Sequence, residues 1–207
     1  MIPIDSIVQG DCLQVMKGIE DNSIDLVLTD PPYNSGIKYI GYDDNLESND
    51  YWDWLVCICN ELCRIGKVVI IKHSAPKIPD FVKKIDIKRL MIWYKTFALG
   101  YPLHNIMTNY EPIYLLKGKA SQTIQDVFCY PSGNCNRENK YDHPAQFPEL
   151  LGIKLINSFS SENDLILDPF LGSGTTAVAC IKTNRHYIGI ELSQEYCDIS
   201  NNRIDAE

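Results

Sequence analysis

Two short apolar runs each break into a turn that few sequences can carry. Ile24-Asp25-Leu26-Val27-Leu28 runs into Thr29-Asp30-Pro31-Pro32-Tyr33, and Leu165-Ile166-Leu167 runs into Asp168-Pro169-Phe170-Leu171-Gly172-Ser173-Gly174-Thr175-Thr176. Continuous apolar runs of this kind suit strands covered on both faces. The spacing predicts strands at Ile4–Val8, Ile24–Thr29, Lys67–Lys72, Lys88–Tyr94, Glu111–Leu116, Asp164–Leu167 and His186–Ile190. Helical patterns fall at Cys12–Gly18, Tyr51–Ile65, Pro148–Ser158, Thr175–Thr183 and Gln194–Arg203, the last with Ser193 as N-cap. This alternation implies an α/β fold: a doubly wound, mostly parallel sheet with helices on both faces.

The 207 residues suffice for one domain with a sizeable core, and the expectation is one domain over 1–207. Apolar residues make up 45%, which argues against disorder. No apolar stretch is long enough to span a membrane. The N-terminal residues lack the basic start and apolar core of a signal peptide, so a cytoplasmic setting is expected. In that setting the eight cysteines read as reduced core thiols, with Cys59 and Cys63 one helical turn apart. Cys129, Cys135 and His143 could form a loop metal site, but no C-x-x-C knuckle accompanies them and no metal is expected.

The net charge of −8 argues at first against a nucleic-acid partner. Its distribution says more. Residues 64–95 carry nine basic and two acidic side chains, while the segments on either side are acidic. Lys83, Lys84, Lys88 and Arg89 are candidates to hold phosphates, against the plainer reading of a solvated helix face. Three stretches look irregular: 34–49, 98–110 and 118–143. Loops of that length in a compact domain are usually functional or mobile.

The first motif suits chemistry at an exocyclic amine. The lone pair of such an amine is delocalised into the ring and is a poor nucleophile. Two acceptors that take both N–H hydrogens favour a pyramidal nitrogen and release the lone pair. Asp30 offers a carboxylate and Pro31 a carbonyl, while two prolines stiffen the backbone and remove competing donors. Tyr33 offers a flat face for a base, which must leave its duplex to reach such a site. The plainer reading is a turn after a strand.

In the second motif Gly172 and Gly174 allow a tight turn and close ligand approach before a helix. The lysine of a P-loop is missing, as is the third glycine of the dinucleotide fingerprint. The next strand ends at Glu191, an acid placed to bind ribose hydroxyls. A nucleoside with a charged amino-acid tail fits such a site.

On these paired motifs, from Gly10 to about Arg203, the chain resembles the S-adenosylmethionine-dependent DNA amino-methyltransferases. The resemblance is to the permuted β group, in which the catalytic motif precedes the cofactor motif. It implies a Rossmann-like methyltransferase fold in permuted order. It assigns Asp30, Pro31, Pro32 and Tyr33 to catalysis. Phe170, Gly172 and Gly174 match the cofactor turn, with Asp168 before it and Ser173, Thr175 and Thr176 near the methionine carboxylate. Glu191 matches the ribose acid, and Leu192 would pack on the cofactor adenine. Gly10-Asp11-Cys12 matches the segment that meets the adenine amino group, although Asp11 also suits a helix N-cap.

His143-Pro144-x-Gln146-x-Pro148 matches a further segment, with Phe147 where a lysine is common. Asn109-Tyr110-Glu111 stands where the family often has His-Glu, so no histidine role carries over.

Aspartate in first position of the catalytic motif points to adenine N6, with cytosine N4 as the alternative. The expected activity is site-specific DNA methylation with base flipping and direct in-line transfer, needing neither metal nor covalent enzyme intermediate. Only 97–110 and 118–142 are available to read base sequence. A homodimer, a short or degenerate site, and a preference for single-stranded or distorted DNA remain open, as does an accompanying restriction endonuclease. Lys72, His73 and Ser74 either line the target pocket or form a plain loop. The rival classes are an RNA base methyltransferase and a non-catalytic DNA-binding subunit.

Overall fold

The structure, a computed structural model, describes residues 2–96, 107–131 and 148–207. Its strands are β1 (Ser6–Gln9), β2 (Ile24–Thr29), β3 (Lys38–Tyr39), β4 (Tyr42–Asp43), β5 (Gly66–Lys72), β6 (Arg89–Lys95), β7 (Tyr110–Lys117), β8 (Val127–Tyr130), β9 (Leu165–Asp168) and β10 (His186–Glu191). Eight of them form one sheet in the order β1-β10-β9-β2-β5-β7-β6-β8, and β3 pairs only with β4. From β1 to β5 all pairings are parallel. β7 runs antiparallel to both β5 and β6, and β8 joins β6 in parallel. The expected strands all form, with no end displaced by more than two residues.

Period-two alternation sorts the strand side chains to two faces. Val27, Val69, Ile71 and Leu167 pack with α1 (Cys12–Met16), α2 (Ser48–Ile65) and α3 (Ile78–Lys84). Leu26, Leu28, Ile70 and Ile166 pack on the other face with α4 (Glu149–Phe159) and α5 (Thr175–Ile181). The last helix, α6 (Gln194–Ile204), is capped by Ser193, whose side chain accepts from the Tyr196 amide. In α2 the buried residues Tyr51, Leu55, Ile58, Leu62 and Ile65 recur at helical spacing and form the apolar stripe that meets the sheet.

Several small elements escape the sequence pattern. The helix α3 has seven residues, a proline near its start and one buried side chain, Phe81. The edge strand β8 has four residues, and β3 and β4 have two each. The segment after Tyr33 is organised around one carboxylate. Buried Asp44 accepts from the backbone amides of Asn34, Ser35 and Ile37 at 2.7, 2.9 and 3.1 Å.

Cys12, Cys57, Cys59, Cys63, Cys129, Cys180 and Cys197 are free thiols. Cys135 and His143 lie outside the described residues, as do 97–106 and 132–147, which hold Phe147 and part of each of the two expected reading segments. No described helix is long and apolar enough to cross a membrane.

The parallel strands reverse their winding between β9 and β2. From β9 the chain passes through α5 to β10 on one side, and from β2 through α2 to β5 on the other. Ligands in open α/β sheets bind in the crevice outside the carboxyl ends at such a point. Both motifs follow directly from these two strand ends.

Candidate active site

Thr29 closes β2 and Asp168 closes β9, and Thr29 Oγ1 donates to Asp168 Oδ1 at 2.7 Å. This bond holds the two motifs side by side. Asp168 also accepts from the Phe170 amide at 3.1 Å and from Thr176 Oγ1 at 2.6 Å. Burial raises its pKa to about 6, and these hydrogen bonds oppose the rise only in part.

Asp30 sits in a charged cluster with Tyr33, Lys72, Glu111 and Lys95. Tyr33 Oη donates to Asp30 Oδ1, and Lys72 Nζ stands 2.9 Å from Asp30 Oδ2. Lys72 also donates to Tyr33 Oη at 2.6 Å and pairs with Glu111 Oε2, while Lys95 pairs with Glu111 Oε1. The side chains of Lys72, Asp30 and Glu111 are 9%, 16% and 16% exposed, so water screens these charges weakly.

Burial raises the Asp30 pKa; Lys72 opposes it and Glu111 adds to it. For Glu111 burial acts in the same sense, but Lys72 and Lys95 outweigh it and hold the carboxyl below its ordinary value. Burial would lower Lys72, yet Asp30 and Glu111 outweigh that effect and keep it charged. Trp93 lines the cluster, with Lys72 Nζ 5.3 Å and Lys95 Nζ 5.0 Å from its ring.

The two proline carbonyls differ. Tyr51 Oη donates to the Pro32 carbonyl at 3.0 Å and lies 2.7 Å from His73 Nε2. A hydroxyl has one proton, so His73 is the donor to Tyr51 from Nε2. Burial lowers the His73 pKa to about 3, which keeps the ring neutral. No backbone amide of the described residues donates to the Pro31 carbonyl. His73 also backs the Tyr33 ring, with centroids 4.9 Å apart.

At the second motif Gly172 and Gly174 adopt φ of 54° and 85°, the left-handed region that glycine tolerates. A Cβ on Gly174 would also stand 3.1 Å from the Ser200 side chain. Glu191 fastens the turn: Oε2 accepts from the Gly172 amide at 2.9 Å and Oε1 from the Ser193 amide at 2.9 Å. A carboxylate has roughly four acceptor sites, so Glu191 retains capacity for two hydroxyls. Phe170 meets Trp54 edge-on at 5.7 Å, and Leu192 beside Glu191 is exposed. Asp11 Oδ1 caps α1 by accepting from the Gln14 amide at 2.9 Å. Buried Cys12 has its thiol pushed up to about 12, which makes it a neutral packing group. This set of acids and apolar faces along the ends of β1, β10 and β9 suits a nucleoside ligand.

The hydroxyls read as neighbours of a methionine carboxylate also have partners within the chain, and those of Ser173 and Thr175 accept there and keep a proton to donate. Arg203 Nη1 donates to the Ser173 carbonyl at 2.6 Å, and to Ser173 Oγ and Thr175 Oγ1 at 3.2 Å each. Thr176 is bound to Asp168. These side chains build the turn.

The basic residues also lie apart from Asp30. Lys83 and Lys84 are in the last turn of α3. Lys88 and Arg89 stand level with Leu115, well before Trp93, which pairs with Glu111. Arg89 is already paired with Asp126 at 2.6 Å. The fold therefore brings none of these four to the Asp30 cluster. It brings Lys72, Lys95 and Glu111 instead. Their sequence signal was a lone charge at the end of an apolar strand.

The chain matches the N6/N4 DNA methylase family model over residues 24–120 and 82–202. It is 30% identical to the type II methyltransferase M.HpaI of Haemophilus parainfluenzae, over 97% of this chain and 74% of that protein. It is 28% identical to the DNA adenine methyltransferase YhdJ of Escherichia coli K12, over 97% of this chain and 83% of that protein. The solved PvuII DNA methyltransferase, described as cytosine-N4-specific, shares the fold with a TM-score of 0.77 at 19% identity, over 96% of this chain and 85% of that one. Other solved neighbours of this fold are complexes with S-adenosylmethionine. On the family match and the M.HpaI similarity, the chain belongs to the N6/N4 family of DNA methyltransferases.

Proposed function

We propose that this protein methylates the exocyclic amine of a base flipped out of DNA, with adenine N6 as the target, and that it belongs to the permuted β group. The observation that carries the reading is the Thr29–Asp168 hydrogen bond of 2.7 Å, which fixes the catalytic motif beside the cofactor turn at the switch point of the sheet.

S-adenosylmethionine supplies an electrophilic methyl group when bound. Glu191 holds ribose hydroxyls, Asp11 meets the adenine amino group, and Phe170 and Leu192 offer apolar faces. Asp30 and the Pro31 carbonyl accept the two N–H hydrogens of the target amine, and Tyr33 stacks on the base. The bound cofactor would supply the methyl group and keep the electron pair of the bond it gives up, while Asp30 and the Pro31 carbonyl hold the nitrogen lone pair toward it. The surplus proton on nitrogen passes to Asp30. Burial raises the pKa of Asp30, which makes it a better proton acceptor than a surface carboxylate.

The reading takes 1–207 as one methyltransferase domain, with target recognition near 97–110 and 118–142. Aspartate at position 30 favours adenine over cytosine. A homodimer and a partner endonuclease belong to the proposal only as arrangements to be tested.

The test is transfer from labelled S-adenosylmethionine to unmethylated DNA, with the product nucleosides separated. Label in N6-methyladenine is the expected result. Label in N4-methylcytosine would keep the mechanism and replace the base. Label in RNA alone would overturn the DNA reading.

A further inference from the structure

We propose that Lys72 reads the ring nitrogen beside the target amine, so that Asp30 and Lys72 together recognise the amidine edge shared by adenine and cytosine. The inference rests on the reading of the site as an amino-methyltransferase pocket.

Both oxygens of Asp30 already have a donor: Tyr33 Oη on Oδ1, and Lys72 Nζ at 2.9 Å on Oδ2. An incoming amine that takes the same lone pair displaces one of them. Lys72 is the replaceable donor, because it remains paired with Glu111 when it leaves Asp30. The Glu111 carboxylate is itself held on its other oxygen by Lys95.

An ammonium has three N–H donors. In the structure those of Lys72 serve Asp30, Tyr33 Oη and Glu111. When the amine takes Asp30 Oδ2, the released N–H of Lys72 stays beside the base edge. In adenine and cytosine the amino donor adjoins a bare ring nitrogen. In guanine and thymine a carbonyl oxygen adjoins a ring N–H. An acceptor next to a donor therefore matches the first pair. Against the second pair it sets acceptor against acceptor and donor against donor. Buried polar groups left unpaired make such rejection strong.

A bare ammonium here would draw electron density from the amine. Glu111 offsets part of that charge, because it stays paired with Lys72. Lys72 is thus a base-reading residue and Glu111 its positioning residue.

The test uses an oligonucleotide duplex carrying a site that the wild type methylates, with the natural base or its deaza analogue at the target. The analogue is 1-deazaadenine, or 3-deazacytosine if cytosine is the labelled base. It keeps the amino group and lacks the ring acceptor. Single-turnover rates are measured for wild type, Lys72→Met and Lys72→Gln, alongside melting curves and S-adenosylmethionine binding.

Wild type is expected to lose roughly tenfold to a hundredfold on the deaza base. Lys72→Met is expected to lose about as much on the natural base and to treat the two bases within about threefold of each other. Lys72→Gln restores an N–H donor and is expected to recover part of the preference. Intrinsic differences between the bases act on every variant and cancel in the comparison.

A deaza penalty as large in Lys72→Met as in wild type overturns the proposal. If Lys72→Met does not fold, the wild-type arm decides, and equal wild-type rates on the two bases overturn it. A wild type that methylates neither adenine nor cytosine in DNA overturns the underlying reading instead.

Discussion

Thr29 and Asp168, 139 residues apart in sequence, are joined by a buried hydrogen bond of 2.7 Å at the ends of neighbouring strands. Asp168 has a pKa of about 6, raised by burial from 3.8. The folded chain therefore holds a proton there more readily than the unfolded chain. Its contribution to stability falls as pH rises from about 4 to about 6, and above that the ionised carboxylate costs about 3 kcal/mol. Asp168→Asn is neutral throughout. Its melting temperature relative to wild type is expected to rise across that window and level off above it. A difference that is flat with pH would contradict this.

Gly189 leaves room for Leu171 of the cofactor turn. A Cβ at Gly189 would lie 2.4 Å from Leu171 Cδ2, and Leu171 is buried. Gly189→Ala is expected to cost about 1–3 kcal/mol through overpacking. Because the strain falls on the turn, affinity for S-adenosylmethionine should drop as well. Calorimetry with unchanged affinity would show that the turn absorbs the methyl group.

Glu111 adds to the raised pKa of Asp30. In the proposed mechanism transfer needs Asp30 ionised, so the rate is expected to fall as pH drops through that pKa. Glu111→Gln removes the neighbouring negative charge, and Asp30 should ionise at lower pH. The acid limb of the single-turnover pH–rate profile is expected to move down. A move upward would mean that Glu111 acts chiefly by holding Lys72 beside Asp30.

The sheet was legible because its central strands are apolar runs flanked by helical periodicity. Ile24–Thr29 has the same bounds in sequence and structure. Val127–Tyr130 was not legible, being four residues at an edge with one buried side chain. The two motifs were legible because each lies within one short stretch of chain. Of the cluster around Asp30, Lys72 was legible as a candidate at the end of a central strand, but Lys95 and Glu111 were not, since they come from further strands whose order a linear pattern does not reveal. That the hydroxyls of Ser173 and Thr175 also accept from buried Arg203 of the last helix was not legible, since Arg203 lies 28 or more residues away in sequence. The basic count of residues 64–95 likewise could not tell which end of the sheet Lys83 and Arg89 would occupy.

The most direct test of the account is methyl transfer by Asp30→Ala, measured beside its binding of S-adenosylmethionine. The expected result is a rate lower by roughly a hundredfold to a thousandfold, the scale for removing a preorganised polar group that acts in the transition state. Cofactor affinity should stay near that of wild type, because Asp30 lies outside the residues placed around the nucleoside. Transfer within a few-fold of wild type would contradict the central claim that the Asp30 carboxylate orients the target amine.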